Sequence, residues 1–185
     1  DAIARFEASA AVADELQDVW RIEGERFTHT WEDRFAIQEG YTPNMIAVLR
    51  ALLAKSSHTA EDFAKVALYA PDERSGGGVA RKLGFKDQQI QDPLFGKLGN
   101  TGTAFALMLF AHALETARPG DRLLVASYGD GAHALSFEIE RAARAHRGMS
   151  WHLARRRALT SYDTYLRARG LDPKEWEAGA DLGLS

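Results

Sequence analysis

Residues 101–117 limit the fold of this chain more than any other stretch. Their large apolar side chains recur at helical spacing and leave little polar face; they are Phe105, Leu107, Met108, Leu109, Phe110 and Leu114. A helix that is apolar on nearly every side has to lie under or between other layers of structure. We therefore predict a helix that is nearly buried all round and that ends at the turn formed by residues 119–121.

Short apolar runs on both sides of this helix are typical of buried strands. They cover residues 65–69, 122–128 and 134–139, and the last two are separated by Gly129-Asp130-Gly131. Because Asp-Gly is a common hairpin turn, these two runs predict an antiparallel pair. A looser mixture of small apolar residues at 3–19 predicts one more strand.

Capping signals predict two further helices. Thr42 before Pro43 is typical of a helix N-terminus with Thr42 as its N-cap, and apolar residues then recur at helical spacing. Residues 75–83 have helical character, and Gly84 is suited to end that helix. Residues 20–31 are polar and aromatic with an internal glycine, which favours an extended loop.

The order of these elements predicts a layered α/β domain over residues 1–140 and a helical, basic extension over residues 141–185. Between residues 141 and 169 the only acidic residue is Asp163. The same stretch contains Arg141, Arg144, Arg147, Arg155, Arg156, Arg157, Arg167 and Arg169. Such a stretch suits CoA phosphates, an acidic partner or nucleic acid, or is a solvated helix face. A partner surface is the functional option we favour, because Tyr162, Tyr165 and Trp176 add aromatic anchors.

Composition excludes several classes of function. A net charge of −3 provides no overall attraction for nucleic acid or an anionic membrane, and no run approaches the ~20 apolar residues of a spanning helix. The chain has no cysteine, so it contains no disulfide, no thiolate metal site and no cysteine nucleophile. This fits a reducing cytosol, and we expect a cytoplasmic protein. The chain opens at Asp1 without a methionine or a signal pattern, and this predicts that it is part of a longer protein.

Two short motifs are candidates for chemistry. Gly99-Asn100-Thr101-Gly102 stands where a loop enters the apolar helix, so Asn100 either caps the helix or donates to a thioester or enolate oxygen. Gly129-Asp130-Gly131 is either an ordinary hairpin turn or a loop whose backbone N–H groups approach a ligand oxygen. The histidines lack metal-ligand spacing, and we predict no metal site.

Taken in order along the chain, several motifs resemble the C-terminal half of condensing enzymes of the thiolase superfamily, especially 3-hydroxy-3-methylglutaryl-CoA synthase-like proteins. They are Trp31-Glu32-Asp33-Arg34-Phe35, Tyr69-Ala70-Pro71, Ala80-Arg81-Lys82-Leu83-Gly84-Phe85, Gly99-Asn100-Thr101-Gly102, Pro119-Gly120-Asp121-Arg122 and Tyr128-Gly129-Asp130-Gly131. The resemblance implies a thiolase-like layered fold that covers most of the chain.

The resemblance also implies three catalytic parts: a cysteine in the N-terminal half, a histidine, and the asparagine of the Gly-Asn motif. Asn100 is at its place, and Tyr69 stands at the position of the histidine. A phenol ordinarily ionises near pH ~10, so Tyr69 suits hydrogen bonding to substrate better than proton cycling, or it is a core residue. His133 is the candidate substitute for the histidine. Gly129 and Gly131 would shape an oxyanion pocket.

The implied function is that of an acyl-CoA acyltransferase that forms or cleaves carbon–carbon bonds, with this chain supplying half of the active site. The alternative is a non-catalytic acyl-CoA-binding or scaffolding subunit of a thiolase-like complex. A coenzyme A thioester is the implied substrate, and no covalently bound cofactor is expected. The implied partners are a cysteine-bearing N-terminal half and a zinc-ribbon and OB-fold subunit or domain, in a homo- or hetero-oligomer.

Overall fold

A four-stranded mixed sheet lies at the centre of residues 1–153 in the computed structural model, which describes residues 2–25, 27–143 and 147–171. Its strands are β1 (Ala4–Ala13), β4 (Lys65–Leu68), β5 (Arg122–Tyr128) and β6 (Gly131–Ile139). The spatial order is β1-β6-β5-β4. A separate two-stranded ribbon joins β2 (Val19–Trp20) to β3 (His29–Thr30), within the stretch that the sequence predicts as a loop.

The sheet contains both parallel and antiparallel strand pairs. β4 runs parallel to β5, whereas β6 is antiparallel to both β5 and β1. The predicted antiparallel pair is thereby confirmed, although β6 begins at Gly131 and not at Ala134. β1 carries a bulge between Phe6 and Ala8. The strand predicted within residues 3–19 is this edge strand.

One face of the sheet is covered by the long helix α2 (Thr42–Ser56). Alternate residues of β4 and β5, such as Val66 and Leu124, point to this side because successive strand residues face opposite ways. The side chains that α2 presents to them are fully buried, and they include Met45, Val48, Leu49 and Leu52. The short helix α3 (Ser75–Lys82) adds Val79 and Ala80 to the same cluster.

The helix α4 (Phe105–Leu114) covers part of the opposite face, so that the sheet lies between two helical layers. Phe105 and Leu109 pack there against Val125 of β5. The predicted layered α/β class is confirmed. The expectation that this helix is nearly buried all round is wrong, because Leu107 is 62% exposed. Its apolar surface is wider than the part of the sheet that it covers.

The helix predicted to have its N-cap at Thr42 has it ten residues earlier, at Glu32. The side chain of Glu32 caps it by accepting the backbone N–H groups of Arg34 and Phe35, at 3.1 and 3.0 Å. One turn of α1 (Asp33–Phe35) leads into a π-helical turn (Ala36–Tyr41) and then into α2. The prediction of Thr42 as N-cap is therefore wrong. A widened turn just before Pro43 lets the helix pass a residue that has no N–H to donate.

The C-terminal residues contain two short helices, α5 (Met149–Ala154) and α6 (Tyr162–Ala168). Met149 and Leu153 pack beside the α4 cluster. The described residues 154–171 belong to a second compact unit, in which Ser161 caps α6 by accepting the N–H of Thr164 at 3.2 Å. Arg144, His146 and Trp176 lie outside the described residues. The division at residue 140 and the partner-binding role of the extension stay predictions.

Candidate functional site

Tyr69 and Asn100 come together at one edge of the sheet. Tyr69 directly follows β4, and Asn100 belongs to the turn that precedes α4. The Asn100 side-chain amide donates to the Tyr69 hydroxyl at 3.3 Å and to the Ala70 carbonyl at 3.4 Å. Its Oδ1 accepts the backbone N–H of Gly102 at 2.8 Å. Asn100 therefore caps the turn and is exposed as well, so that both interpretations of this residue have a structural basis.

Three tyrosine rings surround this contact. The ring centroids of Tyr41 and Tyr69 are 6.3 Å apart, those of Tyr41 and Tyr128 are 5.5 Å apart, and those of Tyr69 and Tyr128 are 6.4 Å apart. The Tyr41 hydroxyl donates to the Tyr69 carbonyl at 2.7 Å. This bond fixes the backbone at the end of β4, and hence the direction in which the Tyr69 side chain leaves the strand.

Two of these hydroxyls are held in the neutral form. Burial raises the pKa of Tyr41 far above its ordinary value, and the nearby negative charge of Asp72 adds to the shift. Burial also raises the pKa of Tyr128, and the Asp18 carboxylate adds to it by its charge and by a hydrogen bond. Both phenols are therefore hydrogen-bond donors at neutral pH and not proton acceptors.

Two cavities meet at Tyr69. The larger has a volume of about 720 Å³, and its lining includes Tyr69, Tyr128, Gly129 and His133. The smaller has a volume of about 310 Å³, and its lining includes Tyr69, Tyr128 and Asn100. The two cavities share Asp18, Val19, Tyr69 and Tyr128. The structure thus brings Asn100 and Tyr69 into contact and places His133 across the larger cavity.

His133 and the glycine loop have defined positions. His133 is an exposed residue of β6, opposite Ser127 of β5. The N–H of Gly129 donates to the Gly131 carbonyl at 2.9 Å, so this N–H group is already engaged. Gly131 has a φ of +108°, and a Cβ atom there would collide with the Val12 carbonyl oxygen. The glycines thus close the hairpin against β1, and Gly129 also lines the larger cavity.

Sequence reasoning did not find the residues that complete the site. Tyr41, Asp18 and Trp31 line the smaller cavity, but they come from three separate segments before β4. Gly40 is needed because a Cβ atom there would collide with the Tyr128 hydroxyl and lie 2.8 Å from Leu16 Cδ2. Nothing in the local pattern of the π turn signals this contact, which depends on the tertiary fold.

Searches of the described residues gave two negative findings. Residues 2–25, 27–143 and 147–171 contain no group of three or more His, Asp or Glu side chains placed to hold a metal ion. Within the same ranges, no helix is both long and apolar enough to cross a membrane.

Comparison with known proteins identifies the domain. The family model for the C-terminal part of 3-oxoacyl-(acyl carrier protein) synthase III matches residues 53–140. Hydroxymethylglutaryl-CoA synthase from Methanopyrus kandleri is 32% identical over 138 residues, which are 74% of this chain and 39% of that protein. The chain carries a thiolase-superfamily condensing-enzyme domain similar to that of hydroxymethylglutaryl-CoA synthases.

Further matches connect this thiolase-like domain to the same group of enzymes. Hydroxymethylglutaryl-CoA synthase from Aeropyrum pernix is 30% identical over 176 residues, covering 91% of this chain and 48% of that protein. A crystal structure of HMG-CoA synthase complexed with CoA has a TM-score of 0.68 at 13% identity, covering 89% of this chain and 47% of that chain. The crystal structure of 3-oxoacyl-(acyl carrier protein) synthase III from Aquifex aeolicus has a TM-score of 0.65 at 18% identity. The match covers 75% of this chain and 46% of that chain. These structures share the fold.

The match is partial in length. The chain spans 39% of the Methanopyrus kandleri protein and 48% of the Aeropyrum pernix protein. Since the thiolase-like domain corresponds to less than two thirds of these relatives, the activity of a complete protein is a matter of inference from the site.

Proposed function

We propose that this chain supplies part of the active site of an acyl-CoA acyltransferase that forms or cleaves a carbon–carbon bond, and that a cysteine-bearing N-terminal half supplies the nucleophile. The observation that carries the proposal is the contact between the Asn100 amide and the Tyr69 hydroxyl where two cavities meet. Both groups belong to a domain similar to condensing enzymes.

The chemistry follows from the two donors. When a carbanion adds to a thioester carbonyl carbon, the electron pair of the C=O bond moves to the oxygen, which becomes negative. A side-chain amide stabilises this charge by a hydrogen bond, and we assign that role to Asn100, whose amide would exchange its long bond to Ala70 or Tyr69 for the substrate oxygen. A phenol that accepts one hydrogen bond still has its own O–H to donate, so Tyr69 is the second donor in the proposal.

Proton transfer needs a general acid or base within reach of the substrate, and we assign it to the His133 imidazole on the wall of the larger cavity. Gly129 and Gly131 then hold the hairpin that shapes this wall. The substrate is a coenzyme A thioester, and no covalently bound cofactor takes part in the proposed reaction.

The uncovered apolar surface supports the proposed partner. Leu107 of α4 is 62% exposed, and Phe6 of β1 is 53% exposed. Exposed apolar surface of this kind is typical of interaction sites, and we assign it to the cysteine-bearing half. The exposed Tyr162 and Tyr165 on α6 are the anchors we propose for a zinc-ribbon and OB-fold partner in a homo- or hetero-oligomer.

A second function is a non-catalytic acyl-CoA-binding or scaffolding subunit. Tyr69 favours it, because a tyrosine stands where the family resemblance implies a histidine and its ring packs against Phe105 and Tyr128. In that case the chain would bind acyl-CoA without turnover, and Asn100 would serve as a cap of the turn.

Acyl-CoA turnover by the natural protein that contains this chain tests the proposal. We expect Asn100→Ala to lower kcat by about 10²- to 10³-fold, the usual effect of removing one oxyanion donor. Tyr69→Phe should lower it less, because it removes one hydroxyl and keeps the ring packing. Gln88→Ala, at an exposed residue that lines neither cavity, is the control. Unchanged turnover in both site variants would refute the assignment, and acyl-CoA binding without turnover would favour the scaffold.

A further inference from the structure

The smaller cavity differs from an ordinary apolar ligand pocket in its charge. Four aromatic residues are among those that line it, namely Trp31, Tyr41, Tyr69 and Tyr128, and Asn100 lines it as well. Its volume of about 310 Å³ lies at the lower end of the range for small-ligand sites. If each non-hydrogen atom of a ligand occupies about 30 Å³, as a water molecule does, the smaller cavity holds on the order of ten such atoms.

Three carboxylates line this cavity, from Asp18, Asp33 and Asp72, and its described lining residues include no Lys, Arg or His. A negatively charged ligand group placed there would face these carboxylates, of which Asp72 is partly balanced by the charge of Arg74 outside the lining. In a partly enclosed cavity such repulsion is stronger than in bulk water, because the effective dielectric constant is lower.

The positions of two carboxylates are fixed by hydrogen bonds. Asp72 Oδ1 accepts the backbone N–H groups of Arg74 and Ser75, at 2.7 and 2.8 Å. Burial raises the pKa of Asp72, but these bonds and the Ser75 hydroxyl outweigh it, so that the pKa lies below its ordinary value. Asp18 is held by the Tyr128 hydroxyl. The lowered pKa keeps Asp72 charged at neutral pH, and the bond to Tyr128 positions the Asp18 carboxylate.

We propose that the smaller cavity takes the acyl group of the thioester substrate and selects acyl groups that carry no carboxylate. This inference rests on the proposed acyl-CoA function and adds the substrate class. The selected group is an uncharged branched or ring-containing chain of about ten non-hydrogen atoms, sized to the cavity. The aromatic walls favour it by burial of apolar surface. A 3-hydroxy-3-methylglutaryl group, which ends in a carboxylate, is disfavoured.

Two CoA thioesters of matched size test the inference on the natural protein that contains this chain. The probes are 6-methylheptanoyl-CoA and adipoyl-CoA, whose acyl groups have the same number of non-hydrogen atoms and differ in the terminal carboxylate. Dissociation constants from isothermal titration calorimetry at pH 7 are the readout. We expect 6-methylheptanoyl-CoA to bind at least tenfold more tightly.

Charge removal separates repulsion from shape. In the double variant Asp18→Asn with Asp33→Asn, two negative charges are removed while the side chains keep their size. We therefore expect the dissociation constant of adipoyl-CoA, divided by that of 6-methylheptanoyl-CoA, to fall at least threefold. Asp87→Asn is the control: it removes an exposed carboxylate that pairs with Arg81, outside the cavity lining. It should leave the ratio unchanged.

The outcomes distinguish the two levels of inference. Equal binding of both thioesters, or a ratio that the double variant does not change, overturns the selectivity and leaves the acyl-CoA function standing. Absence of binding for both thioesters overturns the acyl-CoA function and the selectivity with it.

Discussion

The two faces of the central sheet are built differently. On the α2 face, the helix, all four strands and α3 close a continuous core in which Leu49 and Val48 have no exposed surface. On the α4 face, the helix covers β4 and β5, whereas Phe6 at the β1 edge is 53% exposed and His133 of β6 is exposed. One face is complete within the described residues, and the other presents apolar and functional side chains together.

This difference separates stability from function. The closed face holds β4 and α2 in place, and thereby fixes where Tyr69 leaves the sheet. The open face carries the residues that a partner or ligand can reach. Substitutions on the closed face should therefore affect unfolding, whereas substitutions on the open face should affect assembly and binding.

The largest expected effect on stability is at Leu49. Leu49→Ala leaves a cavity in a core that α2 and the sheet fill completely, and such changes cost about 2–5 kcal/mol. Urea unfolding followed by circular dichroism measures the loss. A cost below about 1 kcal/mol would mean that the α2 face is not the closed core described above.

The next largest loss of stability is expected for Gly40→Ala. Gly40 lies at the helix on the closed face and contacts Tyr128 of the candidate site. The added methyl group would collide with the Tyr128 hydroxyl, and overpacking of this kind costs about 1–3 kcal/mol. We expect a lower urea midpoint together with weaker acyl-CoA binding, since Tyr128 has to move. The combination Gly40→Ala with Tyr128→Phe removes the hydroxyl and should recover part of the stability. No recovery would contradict the contact.

Gly78→Ala should act in the opposite direction. A Cβ atom at Gly78 meets nothing within 4 Å, and Gly78 lies within α3. Alanine in a helix is favoured over glycine by about 0.5–1 kcal/mol, so the melting temperature should rise. Differential scanning calorimetry checks this sign, and a fall in melting temperature would refute it.

The smallest expected effect on stability is at Leu107, on the open face. Because Leu107 is 62% exposed, Leu107→Ser should change the unfolding free energy of this chain by no more than about 0.5 kcal/mol. The same variant should bind the cysteine-bearing half more weakly if that half covers α4. Analytical ultracentrifugation of the two parts measures this. Unaltered association would place the partner on another surface.

Local signals in the sequence predicted the strands and the hairpin well, because β4, β5 and β6 have apolar runs bounded by strong turn residues. The helix start was missed since Thr42-Pro43 is a good local N-terminal signal, while the true cap at Glu32 depends on a π turn. The burial of α4 was overestimated because apolar periodicity shows which residues avoid water and not how far a neighbouring layer extends.

The site divides in the same way. Asn100 and Tyr69 are both candidates from the sequence, because each stands in a motif that resembles a known family, whereas the contact between them is visible only in the structure. The roles of Tyr41, Asp18 and Trp31 were not, since their contacts join segments that are distant in sequence and have no local pattern. The engagement of the Gly129 N–H with the Gly131 carbonyl is likewise a property of the folded hairpin.

The π turn at Ala36–Tyr41 has a consequence for how this protein can change by insertion and deletion. A π turn holds one residue more than the α-helical turn it replaces. Losing that residue would rotate α1 by about 100° about the helix axis, one residue's share of a turn at 3.6 residues per turn. Asp33 and Trp31 would then leave the wall of the smaller cavity. Chain length at this turn, as well as side-chain identity, therefore determines the shape of the smaller cavity, and with it the acyl selectivity that we propose.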